Sequence, residues 1–132
     1  MFKQYKDKEF LSVSSTGETL FFLQAGVYSN KEAMEKGMTK FSYYIYNKEK
    51  NMYYTYVGIT KDEKNLEKLK GYFKKLGYDI YIKQVYISNV AFISVLNQYE
   101  IVLKETTDNK VIESICSQVL SKYEELILDD QN

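Results

Sequence analysis

The sequence predicts an α+β fold: four antiparallel strands and two helices in the order β-α-β-β-α-β, ferredoxin-like, with both helices on one face and a C-terminal helical extension. The first reason is an internal repeat. LFFLQAGVYSNKEAMEK (Leu20 to Lys36) lies over MYYTYVGITKDEKNLEK (Met52 to Lys68) without a gap, with Gly58 standing 32 positions after Gly26, and self-similarity at a fixed period marks a folding unit. The second is that each half passes from a run of aromatic and branched residues, which suits a strand, to apolar residues at helical spacing. The third is punctuation: Gly26 is followed by the capping candidates Ser29 and Asn30, Gly58 by Thr60 and Asp62.

Taken in order, residues 1–19 mix Lys, Asp, Glu, Ser and Gly with few apolar positions, as a linker or arm does, with a short ordered piece around Phe10 to Val13. The first strand runs from Leu20 to Tyr28, and the first helix from Lys31 to about Phe41, burying Ala33, Met34, Gly37, Met38 and Phe41. Glycine inside a helix costs about 1 kcal/mol relative to alanine, so Gly37 points to close packing against the sheet. Ser42 to Asn47 is a short second strand, joined by the polar turn Lys48 to Asn51 to a third, Met52 to Ile59. A second helix, Asp62 to Leu76, aligns Leu66, Leu69, Tyr72, Phe73 and Leu76, and Gly77 is placed to end it. A fourth strand, Asp79 to Ile87, completes a unit spanning residues 20–87.

Residues 88–132 form the extension. Val90 to Lys104 is apolar over so wide an arc that it must be buried against something. Lys110 to Leu128 carries the stripe Val111, Ile112, Ile115, Val119, Leu120, Tyr123 and Ile127, with Cys116 beside it as a core thiol. The pair reads as a helical hairpin packed on the sheet or on a partner chain.

Composition narrows the chemistry. The 132 residues hold 18 Lys and 18 acids, which removes any bulk attraction to nucleic acid or anionic lipid. The charge is uneven, with 15 Lys against 10 acids up to Ser88 and 3 against 8 after it. With no His and one Cys, zinc centres, His-dependent triads and internal disulfides are out, and no cofactor is expected. No run of about 18 apolar residues offers a membrane span, and the N-terminus lacks a signal-peptide layout. Tyrosine is the unusual count, 14 beside 7 Phe and no Trp. Such rings, apolar in body and polar at the tip, suit surfaces packed on one side and wet on the other.

FFLQAGVYSNKEAMEK resembles the opening signature of SPOR domains, repeat modules of bacterial cell-envelope proteins. Leu23, Gln24, Gly26, Tyr28, Ser29, Asn30 and Ala33 carry the first half of the likeness. Val57, Gly58, the Leu66 to Gly77 helix and the Gly77-Tyr78 pair carry the second, over Leu20 to Ile87. The resemblance implies a non-catalytic module that binds peptidoglycan, in particular glycan strands stripped of stem peptides, in septation or sporulation. It implies an extracytoplasmic setting, an anchoring transmembrane helix outside the present sequence, and septal or sporulation proteins as further partners. The glycan-binding positions it implies are Gln24, Val27, Ser29, Asn30, Met52, Tyr54 and Tyr56. The sequence departs from the family at the third strand, where Met52, Tyr54 and Tyr56 stand in place of a basic or tryptophan residue.

The residues make a separate case for carbohydrate. Strand alternation sets Phe22 and Gln24, Tyr44 and Tyr46, Tyr54 and Tyr56, and Tyr81 and Lys83 on the face opposite Leu23, Ala25, Ile45, Thr55, Val57, Ile80 and Ile82. Rings on a flat surface stack on pyranose faces, while Gln24, Ser29 and Asn30 exchange hydrogen bonds with hydroxyl and acetamido groups. The alternative is that the C-terminal helices cover this face and the chain is a protein-interaction or assembly module of the same fold. RNA recognition, which uses the same topology, lacks its basic residues here: there is no Arg and no RNP-like run. The carboxylate pairs Glu32 with Glu35 and Asp62 with Glu63 fall in the first turns of helices, where acids favour the dipole, so no enzyme is expected.

Overall fold

Four strands form one open antiparallel sheet in the computed structural model, which describes residues 4–5, 7–11 and 17–128. The elements are β1 (Glu18–Tyr28), α1 (Lys31–Gly37), β2 (Ile45–Glu49), β3 (Met52–Thr60), α2 (Glu63–Lys75), β4 (Tyr81–Ile87), α3 (Val90–Glu105) and α4 (Asn109–Tyr123), closed by a π-helical turn at Glu124–Leu128. The strand order is β2-β3-β1-β4, all antiparallel, as the βαββαβ reading requires. Two short N-terminal strands, Gln4–Tyr5 and Asp7–Leu11, pair with each other. Of the piece expected at Phe10 to Val13, Ser12 and Val13 lie outside the described residues.

The internal repeat survives in three dimensions. Asn30 caps α1 by accepting a hydrogen bond from the Ala33 backbone N–H, and Asp62 caps α2 by accepting one from Asn65, both at 2.8 Å and each pair 32 residues apart. The ladder between β1 and β3 skips one residue on each strand, Ala25 on β1 and Val57 on β3, so each bulge sits just before its own repeat glycine. The hydrogen bond at Asn65 holds the Asp62 carboxyl below its ordinary range, helped by Lys104 at 3.6 Å.

Several boundaries differ from expectation. β1 begins at Glu18 rather than Leu20, inside the expected linker, and β4 at Tyr81 rather than Asp79. α1 stops at Gly37 rather than near Phe41, and β2 runs from Ile45 to Glu49 rather than from Ser42 to Asn47. Phe41 packs on Phe73 and Tyr78, with ring centroids 5.7 and 4.4 Å apart, which ties the connecting chain to the end of α2 before pairing can start. The β2–β3 hairpin then turns through Lys50 and Asn51, both at positive φ (53° and 66°), the twist that suits a two-residue hairpin loop. Gly77 has φ 96° and ends α2 in the left-handed conformation.

β2 pairs with β3 only from Met52 to Tyr56, and among the described residues no strand lies on that side of residues 57–60. α4 packs along β3 there. Cys116 Sγ lies 3.7 Å from where a Gly58 side chain would begin, beside Leu69 of α2. Farther along α4, Tyr123 meets Phe22 edge-on at 5.1 Å on the opposite face of the sheet. The buried core is accordingly continuous from Leu23, Val57, Leu69 and Phe73 to Phe92, Leu96, Ile112 and Leu120.

A buried carboxylate fixes this arrangement. Glu100 of α3 accepts hydrogen bonds from the Thr60 hydroxyl (2.6 Å), the Lys61 backbone N–H (2.6 Å) and the Asn65 amide (3.0 Å). Lys68 of α2 donates to the carbonyls of Leu103, Lys104 and Thr106, satisfying acceptors that the end of α3 would otherwise leave open.

The glycines separate packing from propensity. A methyl group on Gly37 would run into the ring of Tyr28, whereas Gly71, mid-helix in α2, has open space around it. Gly37→Ala is expected to destabilise the fold by about 1–3 kcal/mol through overpacking, and Gly71→Ala to stabilise it by up to about 1 kcal/mol through propensity. Urea denaturation of both variants checks this; equal effects would contradict the packing assigned to Tyr28.

Candidate functional site

Partners in an antiparallel ladder project to the same side, so the registers decide which side chains share a face. Gln24 lies opposite Tyr56, Val27 opposite Tyr54, Phe22 opposite Lys83, Ile45 opposite Tyr56 and Asn47 opposite Tyr54. These residues, with Met52 and Tyr81, line the face away from α1 and α2. The bulges keep Tyr56 and Ile59 on this face although they are three residues apart.

The second strand is in the opposite phase from the one expected. Tyr46 pairs with Thr55 and stands on the helix side, against Tyr53 at 5.8 Å, while Ile45 and Asn47 take the face with Tyr54 and Tyr56. The hairpin register decides this: the turn at Lys50 and Asn51 sets Glu49 opposite Met52, so Asn47 shares the face of Met52 and Tyr54 and Tyr46 takes the other. Tyr44 lies outside β2 altogether.

Of the seven positions named from sequence, Gln24, Val27, Met52 and Tyr54 come together on the part of the sheet that the C-terminal segment leaves open. Val27 is exposed and the other three are half-buried. Ser29 and Asn30 are exposed at the end of β1, but the Asn30 side-chain oxygen is committed to the α1 cap. Tyr56 is only 5% exposed, and this corrects its reading as a surface ring. Its ring abuts Phe22 at 5.7 Å, and Phe22 is in turn covered by Tyr123. The C-terminal segment thus roofs one half of the face.

At the border of that roof a cleft of about 330 Å³ opens, with Phe22 and Tyr56 at its floor and Ile45, Tyr46, Asn47, Lys83, Val85, Tyr123 and Leu128 around it. Lys83 Nζ reaches the Tyr56 hydroxyl at 3.4 Å. Burial, with Tyr56 nearby, holds the Tyr123 phenol above its ordinary range. Phe22 and Tyr56 are too deeply buried to offer a ring face, so the cleft can donate one ammonium hydrogen bond and offer the Asn47 amide at the rim, while Tyr54 supplies the more accessible ring beside it. Asn47 escaped sequence reasoning because the phase of β2 was misjudged. Tyr123 was legible as part of the α4 stripe, but its reach around the end of β3 was not.

Of the acidic pairs, Asp62 caps α2 and Glu32 and Glu63 stand in first turns, whereas Glu35 falls beyond the first turn of α1. Burial pushes the Cys116 thiol up to about 12. Among the described residues no group of three or more His, Cys, Asp or Glu could hold a metal ion, and no helix is long and apolar enough to cross a membrane.

The roof has a pH signature. Above the ordinary phenol pKa of about 10 the unfolded chain sheds a proton that the folded Tyr123 retains, so stability falls as pH rises through that range. Tyr123→Phe is expected to flatten that fall, measured as urea stability near pH 7 and near pH 10.5; an unchanged slope would mean that Tyr123 stands in solvent. Comparison with family models, with curated proteins and with solved structures finds no match.

Proposed function

We propose that this chain is a non-catalytic module that binds glycan, namely peptidoglycan strands stripped of their stem peptides, across the open half of the sheet and into the cleft beside Tyr56. The observation that supports the reading is the uncovered strip of the outer face, where Gln24, Val27, Met52 and Tyr54 lie together beside a cleft bordered by one ammonium and one amide. Aromatic surface matches the apolar face of a pyranose, and neutral hydrogen-bonding groups match its hydroxyl and acetamido substituents. Gln24, Val27, Met52 and Tyr54 extend the surface along β1 and β3, with Ser29 at its end. The Lys83 ammonium suits the lactyl carboxylate that a stripped strand exposes. Septal or sporulation proteins are the further partners of this reading, in a cell-envelope setting.

A second reading, an assembly module of the same fold, is favoured by the roof over Phe22 and Tyr56. Removing residues 90–132 is not a fair discriminator, because it would expose core shared with the sheet. The full chain should be used.

Sedimentation with amidase-treated sacculi separates the two. The intact chain is expected to co-sediment, and Tyr54→Ala combined with Lys83→Ala to weaken binding by about tenfold or more, the equivalent of about 1.4 kcal/mol. A chain that stays in the supernatant, or a double variant that binds like the parent, would leave assembly as the better account.

A further inference from the structure

One ring on the outer face of the sheet lies open. Tyr81, the first residue of β4, is 66% exposed, against 3% for Phe22 and 5% for Tyr56 on the same face. It stands at the end of β4 remote from Gly17, beside which the Tyr86 ring packs. The ladder places it in line with the strip already described: Tyr81 is opposite Gln24, Gln24 is opposite Tyr56 on its other side, and Val27 is opposite Tyr54. Two interstrand spacings and two residues of rise put Tyr81 and Tyr54 roughly 12 Å apart, with Gln24 between them.

We infer that Tyr81 is the second stacking ring of the glycan site, so that the ligand is a run of linked sugars reaching from Tyr54 over Gln24 to Tyr81. The inference rests on the glycan reading and adds to it the length of chain that the surface recognises. With Tyr56 buried, Tyr54 by itself offers a single ring to the apolar face of a pyranose, and Tyr81 offers another at a separation that a disaccharide cannot bridge. The Gln24 amide between the two rings can both donate to and accept from hydroxyl and acetamido groups. Lys83 follows two residues after Tyr81 on the same face, roughly 7 Å along the strand. A sugar stacked on Tyr81 therefore presents its substituents between an amide and an ammonium. Two contacts on one ligand reinforce each other only when the ligand spans both, because the second contact is then made within the complex. Shorter ligands gain nothing from the second ring.

Calorimetric titration of the full chain with stem-peptide-free glycan fragments, separated into disaccharide and octasaccharide, tests this. The parent is expected to bind the octasaccharide tighter than the disaccharide by about tenfold or more, the order that one well-placed tyrosine contributes at a binding surface. Tyr81→Thr, which keeps strand propensity and removes the ring, should abolish that preference, whereas Tyr81→Phe should keep it. In nuclear magnetic resonance the Tyr81 ring protons should shift on addition of the octasaccharide. A parent that prefers the octasaccharide while Tyr81→Thr prefers it equally, or whose Tyr81 ring protons stay unmoved, would overturn the inference and leave the glycan reading standing. Equal affinity of the parent for both fragments would do the same. A parent that binds neither fragment would overturn both.

Discussion

The Glu100 carboxylate pins α3 to the junction between β3 and α2. It is 8% exposed and satisfied by three donors from the β3–α2 junction, so α3 is fixed to the end of the sheet at one point. A buried carboxylate without its donors costs several kcal/mol, and donors left without the carboxylate cost about 1–3 kcal/mol each. The surrounding ion pairs, Lys61 with Glu18 and Lys104 with Asp62, are partly exposed and contribute little beside it. With α3 fixed, α4 is directed along β3 and the following turn onto the far face.

That route explains why the face is only half covered. β2 is too short to close the β3 edge, and α4 closes what remains, bringing Cys116 to one side of the sheet and Tyr123 to the other. A helix used as an edge strip cannot also lie flat across the sheet. Phe22 and Tyr56 are therefore buried while Val27 and Tyr54 are left toward solvent, and the cleft marks where cover ends. The binding proposal and the assembly reading both start from this partition; they differ in whether the uncovered strip or the roof is the purpose of the extension.

Much of the fold was legible because it is written twice. The spacing of Gly26 and Gly58, and of Asn30 and Asp62, comes from local geometry that a one-dimensional pattern preserves: a bulge before each glycine, a cap three residues before each bonded N–H. What could not be read was tertiary. The stacking of Phe41 on Tyr78 delays the start of β2, and the register of the β2–β3 hairpin, with Glu49 opposite Met52, puts Tyr46 on the helix side and Asn47 on the outer face. Tyr56 was read as a surface ring because alternation gives the face of a side chain but not whether another element covers that face. Lys83 was assigned to the correct face, but its approach to the Tyr56 hydroxyl depends on which strands are neighbours.

The claim that the C-terminal helices are part of the sheet's own core, and not an appendage to a finished domain, is tested most directly by native-state hydrogen exchange across the whole chain. Residues 57–60 of β3 and the interior amides of α3 and α4 are predicted to open with one common free energy, equal to that of global unfolding. A lower and separate opening free energy for α3 and α4, with the sheet still protected, would contradict the account.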